Sequence, residues 1–583
     1  MDTINIEKLI DDRYPSLFNN KPKLLKKITV GLFERVLHLK EVNEFIEKNS
    51  DVKDIEFIDE IFEMLNFSFR IANKDIKRIP SEGRLICVAN HPIGSLDSLS
   101  LVKLVSEIRN DVKIVANDVL LGIKNLEDLF LPFNLESRSA QRKNVRAIGE
   151  ALDKEMAVII FPAAEVSRLK WIYIRDGRWH KGALYFSKKY NAPVLPIYID
   201  GKNSLFFYLF SILHKGLSRV LLSHELFNKR NKTINIKVGD PIPPQAFTNN
   251  FINDKYQTKL LKKHVYLIAK SKTGIYKTEK NIIHPIDRKT IKSELSNSEL
   301  IGKTSDDKKI ILADYYNSPN VLREIARLRE ITFRKVGEGT GNKKDLDKFD
   351  KHYKHLVVWD ENELDIVGSY RIGVGKDILK DFGNDGFYTS TIFKYEPNFI
   401  SRFVPDSIEL GRSFVQKKYW NTNALHYLWQ GIGAFLAHHK YVKFLFGGVS
   451  ISNSYPESAK KMIVYYFQKW FGSEHILASA FSKFSIPELS LNKYNDLFVG
   501  KDYKEDYRIL KTMLKPYGYT VPILYKHYSE LCYEGGVKFL DFAIDESFEK
   551  CVDGLILVNV DLIKDEKRER YISSHKERLL VSA

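Results

Sequence analysis

Up to about Ala72 the apolar residues recur three and four positions apart, as in Ile58, Ile61, Phe62 and Leu65, the spacing that lines one face of an amphipathic helix. From Gly83 the pattern changes to short apolar runs separated by longer helical stretches. Residues 85–89, 112–116, 157–161, 193–199 and 234–238 are each short and mostly apolar, which predicts buried strands. Strands alternating with helices predict an α/β domain on a largely parallel sheet.

Residues 255–280 are rich in lysine, and residues 288–307 are polar with few apolar anchors, so the chain is expected to divide there. Beyond the break, apolar runs at 356–359, 366–372 and 444–449 and a helical pattern over 424–438 ending in basic residues predict a second, α+β domain. The expected organisation is a helical N-terminal region over 1–75, an α/β domain over 76–287, a linker over 288–307 and a second domain over 308–583. A length of 583 residues suits two large domains better than one core.

Composition narrows the class of protein. Hydrophobic residues make up 44% and aromatics 12%, enough to build cores. Cys87, Cys532 and Cys551 are few and scattered, so neither a disulfide framework nor a zinc site is expected, and a reducing compartment is. The acidic N-terminus lacks the features of a secretory signal, and no run approaches the ~18 apolar residues of a membrane-spanning helix. A cytoplasmic protein, or one lying on a membrane surface, is the expectation. Lysine and arginine total 91 against 74 acidic residues, a net +17 that calls for nucleic acid, an anionic membrane or an acidic protein as partner.

The first candidate chemistry follows the 85–89 strand, in Asn90-His91-Pro92-Ile93-Gly94-Ser95-Leu96-Asp97. Ligands of open α/β sheets bind at such strand ends. An imidazole there can take a proton from a hydroxyl, and a carboxylate beside it can fix its tautomer. Taken alone, the pair also reads as a loop histidine next to an aspartate that caps the following helix. The next strand end carries Phe161-Pro162-Ala163-Ala164-Glu165-Val166-Ser167-Arg168, in which Arg168 offers a planar fork for phosphate or carboxylate and Glu165 can hold the loop or meet a polar substrate.

Together with Val194-Leu195-Pro196-Ile197, these residues resemble the motifs of the glycerolipid acyltransferases related to 1-acylglycerol-3-phosphate acyltransferase. Five residues rather than the usual four separate His91 from Asp97, and two alanines come between Phe161-Pro162 and Glu165. The resemblance, over about 79–244, implies an acceptor hydroxyl activated by His91 with Asp97 and attacking an acyl thioester, with Glu165 and Arg168 binding substrate. Backbone amides would stabilise the developing oxyanion.

In the second region, Arg329 on a helix, an acidic loop with Asp347 and Asp350, Arg371 on a strand, and Glu409 and Arg412 before a helix occur in that order. In this order they resemble the acyltransferase branch of the N-acetyltransferase (GNAT) fold, close to autoinducer synthases and ornithine N-acyltransferases. That resemblance implies that Arg329, Asp347, Asp350, Arg371 and Arg412 lie near the substrate, and that Glu409 orients an acceptor ammonium and accepts its proton.

The whole arrangement resembles bifunctional ornithine-lipid synthases. It implies amide formation between an amino acid, expected to be ornithine, and a 3-hydroxyacyl group, followed by esterification of the new hydroxyl. An acyl carrier protein or coenzyme A would bring the acyl group as co-substrate, and no metal or resident cofactor is expected. The positive charge is then expected to meet an acidic carrier protein and the inner face of the cell membrane rather than nucleic acid. Rival readings are a glycine-lipid synthase, a lysophospholipid acyltransferase with an inactive GNAT-like domain, and, in another class, a basic membrane- or nucleic-acid-binding protein without catalysis.

Overall fold

The computed structural model describes residue 31 and residues 38–116, 123–132, 138–170, 173–213, 217–248, 252–548 and 550–573. The chain divides into two compact units between Asn281 and Ile282. Both are mixed α/β. The helical expectation for residues 1–30 and 32–37 lies outside the described residues.

In the first unit, strands β1 (Ser68–Ile71), β2 (Leu85–Ala89), β3 (Val112–Ala116), β4 (Phe130–Pro132), β5 (Ala157–Ile160), β6 (Val194–Asp200) and β7 (Thr233–Val238) form one sheet. Its order is β1-β7-β6-β2-β5-β3-β4. Every neighbouring pair is parallel except β6 with β7. Central β2 is buried along its whole length, as an apolar run covered on both faces by helices must be. Each such aliphatic side chain contributes about 1.5–3 kcal/mol of burial.

The sheet starts earlier than the expected boundary at residue 76, because β1 pairs with β7 from Ser68↔Thr233 to Ile71↔Ile236. The helices before it, Leu39–Lys48 and Asp54–Leu65, do not stand apart either. Phe57, Ile58, Ile61 and Leu65 are buried in the same core as β2.

In the second unit, β8 (Glu299–Lys303), β9 (Lys309–Ala313), β10 (Lys354–Asp360), β11 (Asp365–Val374), β12 (Ser407–Val415), β13 (Phe444–Ile451), β14 (Val537–Asp545) and β15 (Cys551–Asn559) form a sheet in the order β8-β9-β10-β11-β12-β13-β15-β14. Only β12 and β13 run parallel, and they pair just from Ser407↔Phe444 to Glu409↔Phe446 before parting.

The expected linker is a correction. Arg288–Ser296 is a helix capped by Asp287 and anchored by buried Ile291 and Leu295, and residues 299–303 are the edge strand β8. A short helix that buries two side chains, and a strand paired on one edge, both carry mostly polar sequence and so read as linker.

Candidate active sites

The loop after β2 is locked from several sides. Asn90 donates its amide to Ile199 O at 2.8 Å and accepts from Ile199 N at 2.7 Å, fastening the end of β2 to β6. His91 N donates to Asp176 Oδ1 at 3.2 Å, and its carbonyl accepts from Ser167 N at 2.7 Å, which ties the loop to the Glu165–Arg168 segment. The imidazole stacks on Phe161 with ring centroids 4.2 Å apart.

The five-residue spacing still brings His91 and Asp97 together. Gly94, at φ 102°, makes the sharp entry into the Ser95–Ser106 helix, and Asp97 sits in its first turn. Asp97 Oδ2 accepts from Ile93 N at 2.8 Å and Gly94 N at 3.1 Å and lies 3.1 Å from His91 Nδ1. A proton on Nδ1 serves that bond, so Nε2 is left to accept a proton. Burial raises the Asp97 pKa, while His91 and the two backbone N–H groups act against the rise.

Glu165 and Arg168 are placed side by side rather than pointing separately at a ligand. Arg168 Nε lies 3.3 Å from Glu165 Oε2, and Nη1 donates to Ser211 O at 3.3 Å. Arg168 thereby joins the His91 loop to the Leu205–Leu213 helix, on which Leu205, Phe206 and Leu209 are 78%, 53% and 61% exposed. The lysine-rich segment is a helix, Asp254–Ala269, and its Lys262 turns inward to donate to Asp176 O and Gly177 O at 2.7 Å each.

In the second unit the acidic loop and the arginines form one buried network. Arg329, 1% exposed on the Pro319–Val336 helix, makes a two-pronged pair with Asp350, Nη1 to Oδ1 and Nη2 to Oδ2 at 2.9 Å each. Arg371 Nη1 contacts both Asp347 oxygens at 2.8 Å and Asp350 Oδ1 at 3.4 Å. Burial alone would raise the Asp350 pKa, but Arg329 and Arg371 outweigh it and hold the carboxyl well below the usual range.

Arg412 reaches this network because β12 is bulged. Against β11, Ser369 faces Phe414 while Arg371 faces Gly411, so Arg412 and Ser413 together oppose Tyr370. Arg412 takes the left-handed conformation, φ 49°. Without the extra residue, positions 409 and 412 would face opposite sides of the sheet; with it, both meet Tyr388. Arg412 Nη2 donates to the Tyr388 hydroxyl at 3.3 Å, and Nη1 lies 3.7 Å from Asp345 Oδ2. The Nε of Arg412 and the Nε and Nη2 of Arg371 are buried without a hydrogen-bond partner.

Glu409 departs from its expected role. Both its oxygens are taken: Tyr353 Oη and Tyr388 N donate to Oε2, and Thr389 N and Oγ1 donate to Oε1 at 2.8 and 2.6 Å. It is 2% exposed and holds the turn at Tyr388 and Thr389 rather than standing open to an ammonium. Glu409→Gln turns an amide NH2 toward donors that need an acceptor, so urea unfolding is expected to show a loss of roughly 2–4 kcal/mol together with loss of amide formation. A proton-accepting Glu409 would instead lose activity with stability intact.

Two family models match the chain: residues 8–274 match one described as Acyltransferase and residues 328–430 one described as Acetyltransferase (GNAT) domain. A glycine N(alpha)-acyltransferase from Bacteroides thetaiotaomicron is 36% identical over 308 residues, 51% of this chain and 90% of that enzyme. A lyso-glycine lipid O-acyltransferase from the same organism is 30% identical over 253 residues, 42% of this chain and 90% of that enzyme. An L-ornithine N(alpha)-acyltransferase from Brucella abortus is 30% identical over 146 residues, 23% of this chain and 50% of that enzyme. The chain belongs to the acyltransferases.

Several groups that build the acyltransferase's two candidate sites carry no motif of their own. Asp176 lies 85 residues beyond His91, yet it also accepts from Ser167 Oγ and, at 2.7 Å, from Trp179 Nε1. Asp345, Tyr353, Tyr388 and Thr389 hold the arginines and Glu409 in the second unit. The closeness of Asp345 to Asp347 was the one available hint.

Proposed function

We propose that this acyltransferase assembles a two-chain aminolipid in two steps. The second unit joins a 3-hydroxyacyl group to the amine of an amino acid, and the first unit esterifies the new hydroxyl with a second acyl group. What carries the reading is that one chain covers nine tenths of two Bacteroides enzymes, one named for N-acyl transfer to glycine and one for O-acyl transfer to a lyso-glycine lipid. The amino acid is glycine. Ornithine, the expectation from the motifs, is the second reading, favoured by the Brucella relative but over only half of that enzyme.

In the amide step the unpartnered N–H groups of Arg371 and Arg412 suit the carboxylate of the amino acid. In the ester step His91 Nε2 takes the proton of the lipid hydroxyl as its oxygen attacks the thioester carbonyl, and Asp97 stabilises the imidazolium that forms. Arg168 is the candidate partner for the carboxylate that the intermediate still carries.

The donor is an acyl thioester on an acyl carrier protein, whose acidic surface complements the +17 charge. No helix among the described residues is long and apolar enough to cross a membrane. Leu205, Phe206 and Leu209 instead give the first unit an apolar face for an anionic bilayer at the cytoplasmic side. Replacing all three by serine removes roughly 1.5 kcal/mol or more per side chain. Sedimentation with vesicles of phosphatidylcholine and phosphatidylglycerol is then expected to show binding weakened by more than about 100-fold.

The function is tested by incubating the purified chain with a 3-hydroxyacyl thioester and either glycine or ornithine and weighing the products by mass spectrometry. Glycine is expected to give the N-acyl amide. Amide from ornithine alone would move the assignment to ornithine, and no amide from either contradicts the proposal.

A further inference from the structure

Asp553 on β15 stands in register with Ser450 on β13. It is 3% exposed, and its Oδ1 is buried without a hydrogen-bond partner. A methyl group placed on Gly448 would lie 3.5 Å from Asp553 Oδ2 and 3.7 Å from Thr389 Cγ2, so the carboxylate and the turn held by Glu409 flank one position of β13. Tyr388, in that turn, receives a hydrogen bond from Arg412 at 3.3 Å and donates one to Asp545 Oδ2 at 2.7 Å. Asp553 and the half-buried Glu338, just past the Pro319–Val336 helix, both feel the Arg412 charge.

One buried region therefore holds two carboxylate oxygens lacking a donor, Asp553 Oδ1 and Asp345 Oδ2, and two guanidinium groups with N–H bonds lacking an acceptor. Polar atoms left buried without partners cost roughly 1–3 kcal/mol each, more when charged. A zwitterion satisfies both deficits at once, its carboxylate on the arginines and its ammonium on the acid.

We propose that Asp553, assisted by Glu338, receives the ammonium of the amino-acid acceptor and takes its proton as the amide bond forms. The inference rests on the amide-forming reading of the second unit and assigns the proton acceptor that Glu409 is too fully bonded to be. The ammonium gives one proton to the Asp553 carboxylate, and the free amine attacks the thioester carbonyl. The C–N bond forms, the C–S bond breaks, and the departing sulfur carries off a second proton from nitrogen as a thiol. Asp553 returns its proton to solvent.

The surroundings suit the task. Burial, then neighbouring Asp545 on β14, push the Asp553 carboxyl up to about 7, against Ser450 and Arg412, which act to lower it. Burial and Asp553 likewise push Glu338 up to about 7. Tyr388, Tyr525 from the Ile523–Ser529 helix, and Cys551 on β15 also interact with Asp553. A proton acceptor works best with a pKa near the operating pH.

The test uses the purified full-length chain and its Asp553→Asn variant, with glycine and a 3-hydroxyacyl thioester. At pH 7 the variant is expected to form amide about 100-fold more slowly. That deficit should narrow by about tenfold per pH unit toward pH 9, as glycine supplies its own free amine. Ester formation on an added N-(3-hydroxyacyl)glycine should be unchanged.

Stability separates this role from a structural one. A carboxyl raised from 3.8 unfolded to about 7 folded costs stability when ionised above pH 7 and costs none below 3.8. Asp553→Asn should therefore melt no lower than the native chain at pH 8. Native-like amide formation at pH 7, or a loss that persists at pH 9 with a lowered melting temperature, overturns the proposal. A native chain that makes no amide at any pH removes the reading on which it rests, a failure distinct from failure of the Asp553 assignment.

Discussion

His91→Ala is expected to stop the ester step and leave the amide step running, so that the one-chain N-acyl amino acid accumulates where the native chain makes the two-chain product. The imidazole is held by Phe161 at its face and by Asp97 at Nδ1, an arrangement that reserves Nε2 for the acceptor hydroxyl. Losing such a base lowers a rate by roughly 10²–10⁴. The alanine variant keeps the backbone bonds to Asp176 and Ser167, so the loop itself should survive. Quantifying one-chain and two-chain products side by side checks the assignment. Two-chain product at the native rate would show that His91 is not the base.

Asp350→Ala is expected to be the most damaging single change in the second unit. The Asp350 carboxylate pairs with Arg329 and Arg371, accepts from Asp347 N, and lies 3.6 Å from His355 Nε2. Removing it leaves two buried guanidinium groups short of their counter-charge, which costs about 3–5 kcal/mol. Because the folded-state pKa of Asp350 is depressed, its stabilisation is fully present above the unfolded value of 3.8 and is lost progressively as the pH falls from there toward the folded value. Urea unfolding at pH 7 and at pH 5 should thus show the same deficit. Amide formation should disappear while ester formation continues. An Asp350→Ala variant as stable as the native chain would mean that this network does not hold the second unit together.

Residues whose neighbours in sequence are also their neighbours in space were legible before folding. Strand β2 matches its apolar run residue for residue, since a strand buried on both faces must be apolar throughout, and β3 matches its expected bounds although Lys113 interrupts its apolar residues. The 424–438 helix likewise matches the Ala424–His438 helix. His91 and Asp97 were legible because one turn and one helix start bring them together.

What remained hidden depends on tertiary contact or on local irregularity. Strand β8 looks like linker because an edge strand can stay polar, and β1 falls within the expected helical region because its four residues are too few to break the pattern. The common face of Glu409 and Arg412 depends on a bulge that no periodicity reveals. Asp176, Tyr388 and Asp553 are single polar residues brought to the sites from distant segments, with no motif around them. Glu409 was found by resemblance, but what occupies its oxygens could be read only from the fold.

The central claim, two acyl transfers onto one amino acid by one chain, is tested most directly by expressing the chain in a bacterium that lacks aminolipids and analysing its lipid extract by mass spectrometry. The account predicts a new lipid whose fragments release the amino acid, one amide-linked 3-hydroxyacyl group and one ester-linked acyl group. An extract with no amide-linked aminolipid would contradict it.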